Sequence, residues 1–221
     1  MIKRAWMLLL ILFMVVGLSG MAGAGLKVIG SAVYDGKDYS LIYEDDQGLI
    51  WLDYTNPGSV TGWEQQIAWA SGLNATGTLT YKFNAGVSVS WNGDWRLPLT
   101  ADGPHRFGYD GTTTAGFNIT TCEMGHLYYK SLGNLGYYDT KGNARPGWGK
   151  PESEYGWGLK NTAPFVNLQK GQYWSGTEFS INPMRAWDFN TYWGSTNNIA
   201  FKASYRYSAM AVRPAKVSGA N

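Results

Sequence analysis

The sequence predicts an α+β protein built mainly from antiparallel sheet. Three observations carry that reading. Alternating runs rich in aromatic and branched residues lie towards both ends of the chain, and only two stretches show helical periodicity. Residues 133–172 are rich in Gly, Tyr, Trp and Asn without any sustained period, which reads as long ordered loop.

The first 24 residues are read as a signal peptide. Lys3 and Arg4 precede the apolar run Trp6 to Val16, and Ala22-Gly23-Ala24 offers a cleavage site. The run falls short of the roughly 20 apolar residues that span a bilayer. No Cys follows it for lipid attachment, so no stable membrane anchor is expected after cleavage. Residues 25–221 are read as a single domain. Cleavage removes two of the 18 basic residues, leaving 16 against 16 acidic ones. A formally neutral chain without a basic stripe excludes nucleic acid as a partner. Cys122 is the only cysteine, so no intrachain disulfide can form, and burial is its expected fate.

Within the domain, Tyr39 to Tyr43 and Leu49 to Leu52 flank Glu44-Asp45-Asp46-Gln47-Gly48 as a hairpin. Asp45 and Asp46 are read as turn residues, because the alternating ligand pattern of an EF-hand loop is missing. A helix starts at Thr61, with Thr61 and Glu64 as a capping box and Trp63, Ile67 and Ala70 at helical spacing. Gly72 stands where a C′ glycine would end it. Residues 78–83 and 87–91 read as a second hairpin around Asn84-Ala85-Gly86. The second helix covers 121–133, capped by Thr121, with Met124, Leu127, Tyr128 and Leu132 as its apolar stripe. Glu123 and His126 lie three apart on it, but no further ligand cluster accompanies them, and His126 is expected to be hydrogen-bonded beside the core. Closing strands are predicted at 173–179, 185–190 and 206–213, with Ser195-Thr196-Asn197-Asn198 as the turn between the last two. Trp51, Trp95, Trp174 and Trp187 are expected in the core. Arg96 and Arg213 are read either as partners of Glu178 or Asp188 or as solvated rim residues.

Four blocks occur in a suggestive order: Asp94-Trp95-Arg96-Leu97-Pro98, Tyr173-Trp174-Ser175-Gly176-Thr177-Glu178, Ala186-Trp187-Asp188-Phe189-Asn190, and Tyr207-Ser208-Ala209-Met210-Ala211-Val212-Arg213-Pro214. Together they resemble the C-terminal domain of the Lcl collagen-like adhesin, a bacterial family related to the C-type-lectin-like fold. The resemblance spans residues 41–214, with insertions at 99–120 and 134–172. It implies two helices packed on small antiparallel sheets, paired N- and C-terminal strands, and long ordered loops at a cell surface. The insertions resemble a subgroup of exported proteins that often end in a sorting tail. This chain ends Lys216-Val217-Ser218-Gly219-Ala220-Asn221, without apolar helix or basic terminus, so a secreted or periplasmic product is expected. Calcium-dependent lectin sites need a Glu-Pro-Asn or Gln-Pro-Asp triplet and a Trp-Asn-Asp triplet. Trp91-Asn92-Gly93-Asp94 and Asn182-Pro183 are only fragments of these, so no calcium site is carried over, and no metal or cofactor is expected.

Catalytic signals are sparse. His105 and His126 are the only histidines, and no Gly-x-Ser-x-Gly elbow is present. The superfamily's formylglycine-generating enzymes are associated with paired cysteines, which Cys122 alone does not supply. Carboxylate pairs are spatial and leave no sequence signature. The sequence therefore reads as an exported, non-catalytic binding module with an adhesive role, taking a glycan or an extracellular matrix polymer. An exported glycan-modifying enzyme on the same scaffold and a self-associating matrix protein are the alternatives. The expected ligand-binding rings are Trp148, Tyr155, Trp157, Tyr192 and Trp193, because they sit in Gly-rich or turn-like segments and should face solvent. The competing reading is that these rings fold the long loop onto the body.

Overall fold

The hairpin predicted from residues 39–52 is present. β2 (Lys37–Glu44) and β3 (Leu49–Leu52) pair antiparallel, with Glu44 opposite Leu49. A computed structural model describes residues 25–58, 62–148 and 155–220. The signal-peptide reading of residues 1–24 and the predicted cap Thr61 lie outside them. No helix among the described residues is long and apolar enough to cross a membrane.

β2 and β3 belong to a six-stranded sheet with β1 (Leu26–Tyr34), β4 (Thr80–Phe83), β5 (Ser88–Trp91) and β11 (Val212–Ser218), in the order β4-β1-β2-β3-β11-β5. β4 and β5 lie where the sequence places strands, but they do not pair as the predicted hairpin. β4 pairs with β1, and β5 with β11. Asn84 commits its backbone N–H to the Ile29 carbonyl and its amide to the Val28 carbonyl, at 2.9 and 2.8 Å. That draws the linker onto β1. The sheet curls so that its two outer strands approach each other through side chains, with Trp91 5.4 Å from the Tyr81 ring and 6.4 Å from Phe83. Alternation identifies a strand without naming its neighbour. Both ends of the domain lie in this sheet, and the implied pairing of N- and C-terminal strands is met by β3 with β11, whereas β1 lies beyond β2.

Helix α1 (Trp63–Gly72) is capped at Gly62, whose N–H donates to Gln65 Oε1 at 3.1 Å. The predicted glycine stop is corrected too: Gly72 is the last helical residue, and Leu73 caps the helix in a right-handed conformation. The second helix begins two residues after the predicted Thr121. α2 (Glu123–His126) continues into a π-helical turn, Leu127–Ser131, closed by Leu132 N–H to Leu127 O at 2.9 Å. Its predicted stripe of Met124, Leu127, Tyr128 and Leu132 is buried.

The second sheet contains β6 (Phe107–Gly108), β7 (Ala115–Phe117), β8 (Gln172–Glu178), β9 (Arg185–Asn190) and β10 (Ser195–Phe201), in the order β6-β7-β10-β9-β8. The sequence reading misses β6 and β7 and places a turn where β10 begins. Residues 191–194 make that turn, and the closing strand is 212–218 rather than 206–213. Ser195-Thr196-Asn197-Asn198 has turn composition, but the fold gives each of its side chains a partner, leaving the Asn198 Nδ2 unpaired. Asn198 Oδ1 lies 2.6 Å from His105 Nδ1, Thr196 Oγ1 3.4 Å from Cys122 Sγ, and Asn197 donates to Ser195 Oγ at 3.2 Å. Polar side chains with partners are tolerated in a central strand.

Trp51, Trp95, Trp174 and Trp187 are buried as expected. One apolar cluster gathers Ile29, Leu41, Ile50, Trp63, Trp95 and Trp174, and a second gathers Ile42, Trp51, Tyr128, Phe189 and Met210 beside α2. Cys122 is buried, and that burial pushes its thiol pKa up. Arg96 holds Glu123 with two bonds of 2.7 and 2.8 Å, and Arg213 lies 4.2 Å over the Trp91 ring. Neither uses Glu178 or Asp188.

Candidate aromatic binding shelf

The turn after β9 is built by Asn190. Its Oδ1 accepts from the N–H groups of Tyr192 and Trp193 at 2.9 and 3.2 Å, and its carbonyl accepts from Gly194 N at 2.7 Å. Gly194 has φ +75°, and a Cβ there would meet Tyr129 Oη at 2.6 Å and Gly136 Cα at 2.8 Å. Only glycine lets the turn close against the long loop. The Tyr129 hydroxyl donates to the Gly194 carbonyl, and its burial pushes the phenol pKa up. The loop then docks on the turn: Tyr137 N–H donates to Trp193 O at 2.8 Å.

Residues 137–145 form a small return of chain. Arg145 N–H donates to Tyr137 O at 2.8 Å, and Asp139 organises the tip by accepting from the N–H groups of Lys141 and Asn143. These bonds hold the exposed Asp139 carboxyl below its ordinary pKa, with the Asn143 side chain as the leading cause. The return places Trp148 4.6 Å from Trp193 and 5.0 Å from Tyr137, ring to ring. Beneath them Trp157 stacks on Trp193 at 5.4 Å and 14°.

The result is a shallow cavity of about 240 Å³ walled by Phe107, Phe117, Tyr137, Tyr138, Trp148 and Trp193, with Ser195 and Asn197 as polar groups. Trp148 is 67% exposed and Phe107 50%, so two large rings meet solvent at one place. Among the described residues no hydrogen bond uses the indole N–H of Trp148 or Trp193, or the hydroxyls of Tyr137 and Tyr138. A surface of this kind can stack a flat apolar face and still donate hydrogen bonds around it.

The five rings singled out in the sequence divide accordingly. Trp148 and Trp193 line the cavity. Tyr192 packs edge-on against Trp157 and Trp193 just outside it. Tyr155 is half-buried, and a Cβ on Gly147 would run into its ring. Trp157 contradicts its predicted exposure: it is fully buried, and its Nε1 donates to Pro146 O at 2.8 Å. A ring with its one donor committed and no exposed face supports the shelf rather than contacting a ligand. Sequence reasoning did not assign Phe107, Phe117, Ser195 or Asn197 to the site. Phe107 and Phe117 lie on the unpredicted β6 and β7, and the polar pair lies on the strand read as a turn. The Tyr137-Tyr138 pair in a Gly-rich loop was the one available signal.

Asp188 lies behind the polar floor. On β9 it is register-paired with Asn197 on one side and Trp174 on the other. It is buried without a cation. Gln172 Nε2 lies 3.5 Å from its Oδ1, and Oδ2 has no partner. Burial pushes its pKa up to about 8, against weaker opposing bonds from Gln172 and Asn197. Trp174 Nε1, on the register partner, is a donor that also lacks an acceptor.

Among the described residues, Glu44, Asp46 and His126 form the group that could hold a metal ion. The two carboxylates approach opposite nitrogens of one ring, Glu44 at Nδ1 (3.0 Å) and Asp46 at Nε2 (3.3 Å). Glu44 also accepts from Trp51 Nε1 at 2.8 Å and from the Ser131 hydroxyl. The contacts are those of a bridge in which the imidazole joins the β2–β3 turn to α2. The same bonds argue against Ser131 as a nucleophile, since its hydroxyl donates to a carboxylate in a site closed to solvent. Desolvation raises the Glu44 pKa. No protein-family model, no curated protein and no solved structure matches this chain.

Proposed function

We propose that the protein is an exported, non-catalytic glycan-binding module whose contact surface is the aromatic shelf. The observation that carries this reading is the pairing of exposed Trp148 with exposed Phe107 around one cavity, both fixed by ring contacts to buried neighbours. Rings held this way contribute contact area at low entropic cost. The α+β fold is consistent with the C-type-lectin-like relationship suggested by the four sequence blocks. That resemblance supports an adhesive role outside the cytoplasm. Catalysis has less support: His105 is engaged by Asn198, and His126, although 3.5 Å from the Ser131 hydroxyl, is held by two carboxylates while that hydroxyl donates to Glu44.

The test is a glycan array probed with the purified protein, with and without EDTA, and repeated with Trp148→Ala. Binding that survives EDTA and is lost in the variant supports the proposal. Turnover of an arrayed glycan would replace it with the enzyme reading. Concentration-dependent assembly without glycan binding would replace it with the matrix-protein reading.

A further inference from the structure

The lining of the shelf narrows the class of glycan, an inference that rests on the reading above. Every side chain around the cavity is uncharged. Among the described residues the cation nearest in sequence to Trp148 is Arg145, which is turned to its own loop, with Nε donating to Gly136 O at 3.0 Å and its charge felt by Asp139. An acidic or sulfated sugar entering here would lose hydration with no cation among the described lining residues to replace it, a cost that buried charge does not recover without a partner. A pyranose with equatorial hydroxyls behaves differently. Its axial C–H bonds form an apolar face that can lie on Trp148 or Phe107, while its rim hydroxyls reach the free indole and phenol donors and the Ser195–Asn197 pair. At about 240 Å³ the cavity is smaller than the about 300–1,000 Å³ that encloses a drug-sized ligand. It therefore accommodates little more than one sugar unit, with the rest of the chain in solvent.

We propose that the shelf binds single, uncharged, equatorially substituted pyranose units of a neutral β-linked polysaccharide and discriminates against polyanions. Each contact is weak, and useful adhesion comes from many copies engaging one polymer.

Tryptophan fluorescence and NMR titrations of the purified chain test this. Cellohexaose and chitohexaose serve as neutral probes, heparin and polygalacturonate as anionic ones, at about 50 and about 500 mM NaCl to vary screening. The expected result is binding of a neutral hexasaccharide with less than about twofold change across salt. Trp148→Ala and Phe107→Ala, on separate elements, should each weaken it about tenfold without lowering the melting temperature. Binding of the polyanions alone, lost at high salt, overturns the neutral class and leaves glycan binding standing. No binding to any probe by a folded protein removes both readings. Neutral binding unaffected by either substitution places the site elsewhere and overturns this assignment.

Discussion

Asp188→Asn should change the slope of stability against pH. In the folded protein the Asp188 carboxyl has no cation partner and one unpaired oxygen, and its pKa is pushed up to about 8 from an ordinary value of 3.8. Between those two values the unfolded chain has released the proton and the folded chain retains it. The folded state then binds more protons, so stability falls as pH rises, by about 1.4 kcal/mol per pH unit. Below pH 4 the carboxyl is neutral in both states and costs nothing. Above pH 8 the penalty levels off, at a ceiling of about 6 kcal/mol for the whole interval.

The carboxamide has nearly the same shape and never ionises. At pH 4, the start of the rise, the difference between parent and variant reports mainly the exchange of O–H for NH₂, which sets the baseline. From pH 5 to pH 7 the variant should gain about 3 kcal/mol on the parent. The titratable neighbour is Tyr207, whose pKa is raised by burial first and by Asp188 second. Tyr207 remains neutral across this range, so it does not disturb the comparison. Urea unfolding of both proteins at each pH unit from 4 to 8 supplies the measurement. Parallel stability curves would refute the argument, because they would mean that Asp188 ionises in the folded protein at no cost.

Three further outcomes follow from the same geometry. Trp157→Ala should cost about 3–5 kcal/mol in urea unfolding, as for emptying a buried aromatic site, whereas Trp148→Ala should cost less than about 1 kcal/mol. Equal losses would mean that Trp148 is core. Glu123→Ala removes both bonds to Arg96 and the 2.7 Å bond from Leu99 N–H, and should lower stability by about 2 kcal/mol. Made in an Arg96→Ala background, Glu123→Ala should cost less by the coupling energy of the pair, and an equal loss in both backgrounds would mean that the pair contributes nothing. Gly116→Ala should destabilise by at least about 1–2 kcal/mol, because Gly116 has φ +113° and a Cβ would collide with the Gly108 carbonyl across β6 and β7. Since β6 carries Phe107, glycan binding should weaken in the same variant, and unchanged binding would show that β6 does not shape the shelf.

Much of the scaffold was legible because its signals are local. The β2–β3 hairpin, both helices and the four buried tryptophans are each specified by residues within one or two turns of chain. What could not be read depends on distant partners. Asn84-Ala85-Gly86 has hairpin composition, but Asn84 bonds to β1 and sends β4 and β5 to opposite edges of the sheet. Ser195 to Asn198 have turn composition, and their strand identity depends on Cys122, His105 and Asp188, residues remote in sequence. Trp157 shows the same limit for the site. Being flanked by Gly156 and Gly158 suggests freedom, whereas the Pro146 carbonyl and the faces of Tyr137 and Trp193 determine its burial.

The shelf depends on buried polar residues as much as on its rings. Asp53 accepts from Val166 and Asn167 N–H, each at 3.0 Å. Asn134 accepts from Lys160 and Asn161 N–H and donates to Asn161 O at 2.8 Å. The Asp53 bonds tie the later part of the long loop to the body, the Asn134 bonds tie the loop to its own start, and Asn190 fixes the turn against which it packs. Among the described residues the loop has only the isolated bridges Leu135–Gly158 and Tyr138–Ala144 in place of a strand ladder, so these side chains satisfy much of its backbone. The consequence for binding is preorganisation. Rings already held in contact lose little freedom when a sugar arrives, so weak stacking on Trp148 and Phe107 is not spent on ordering the loop.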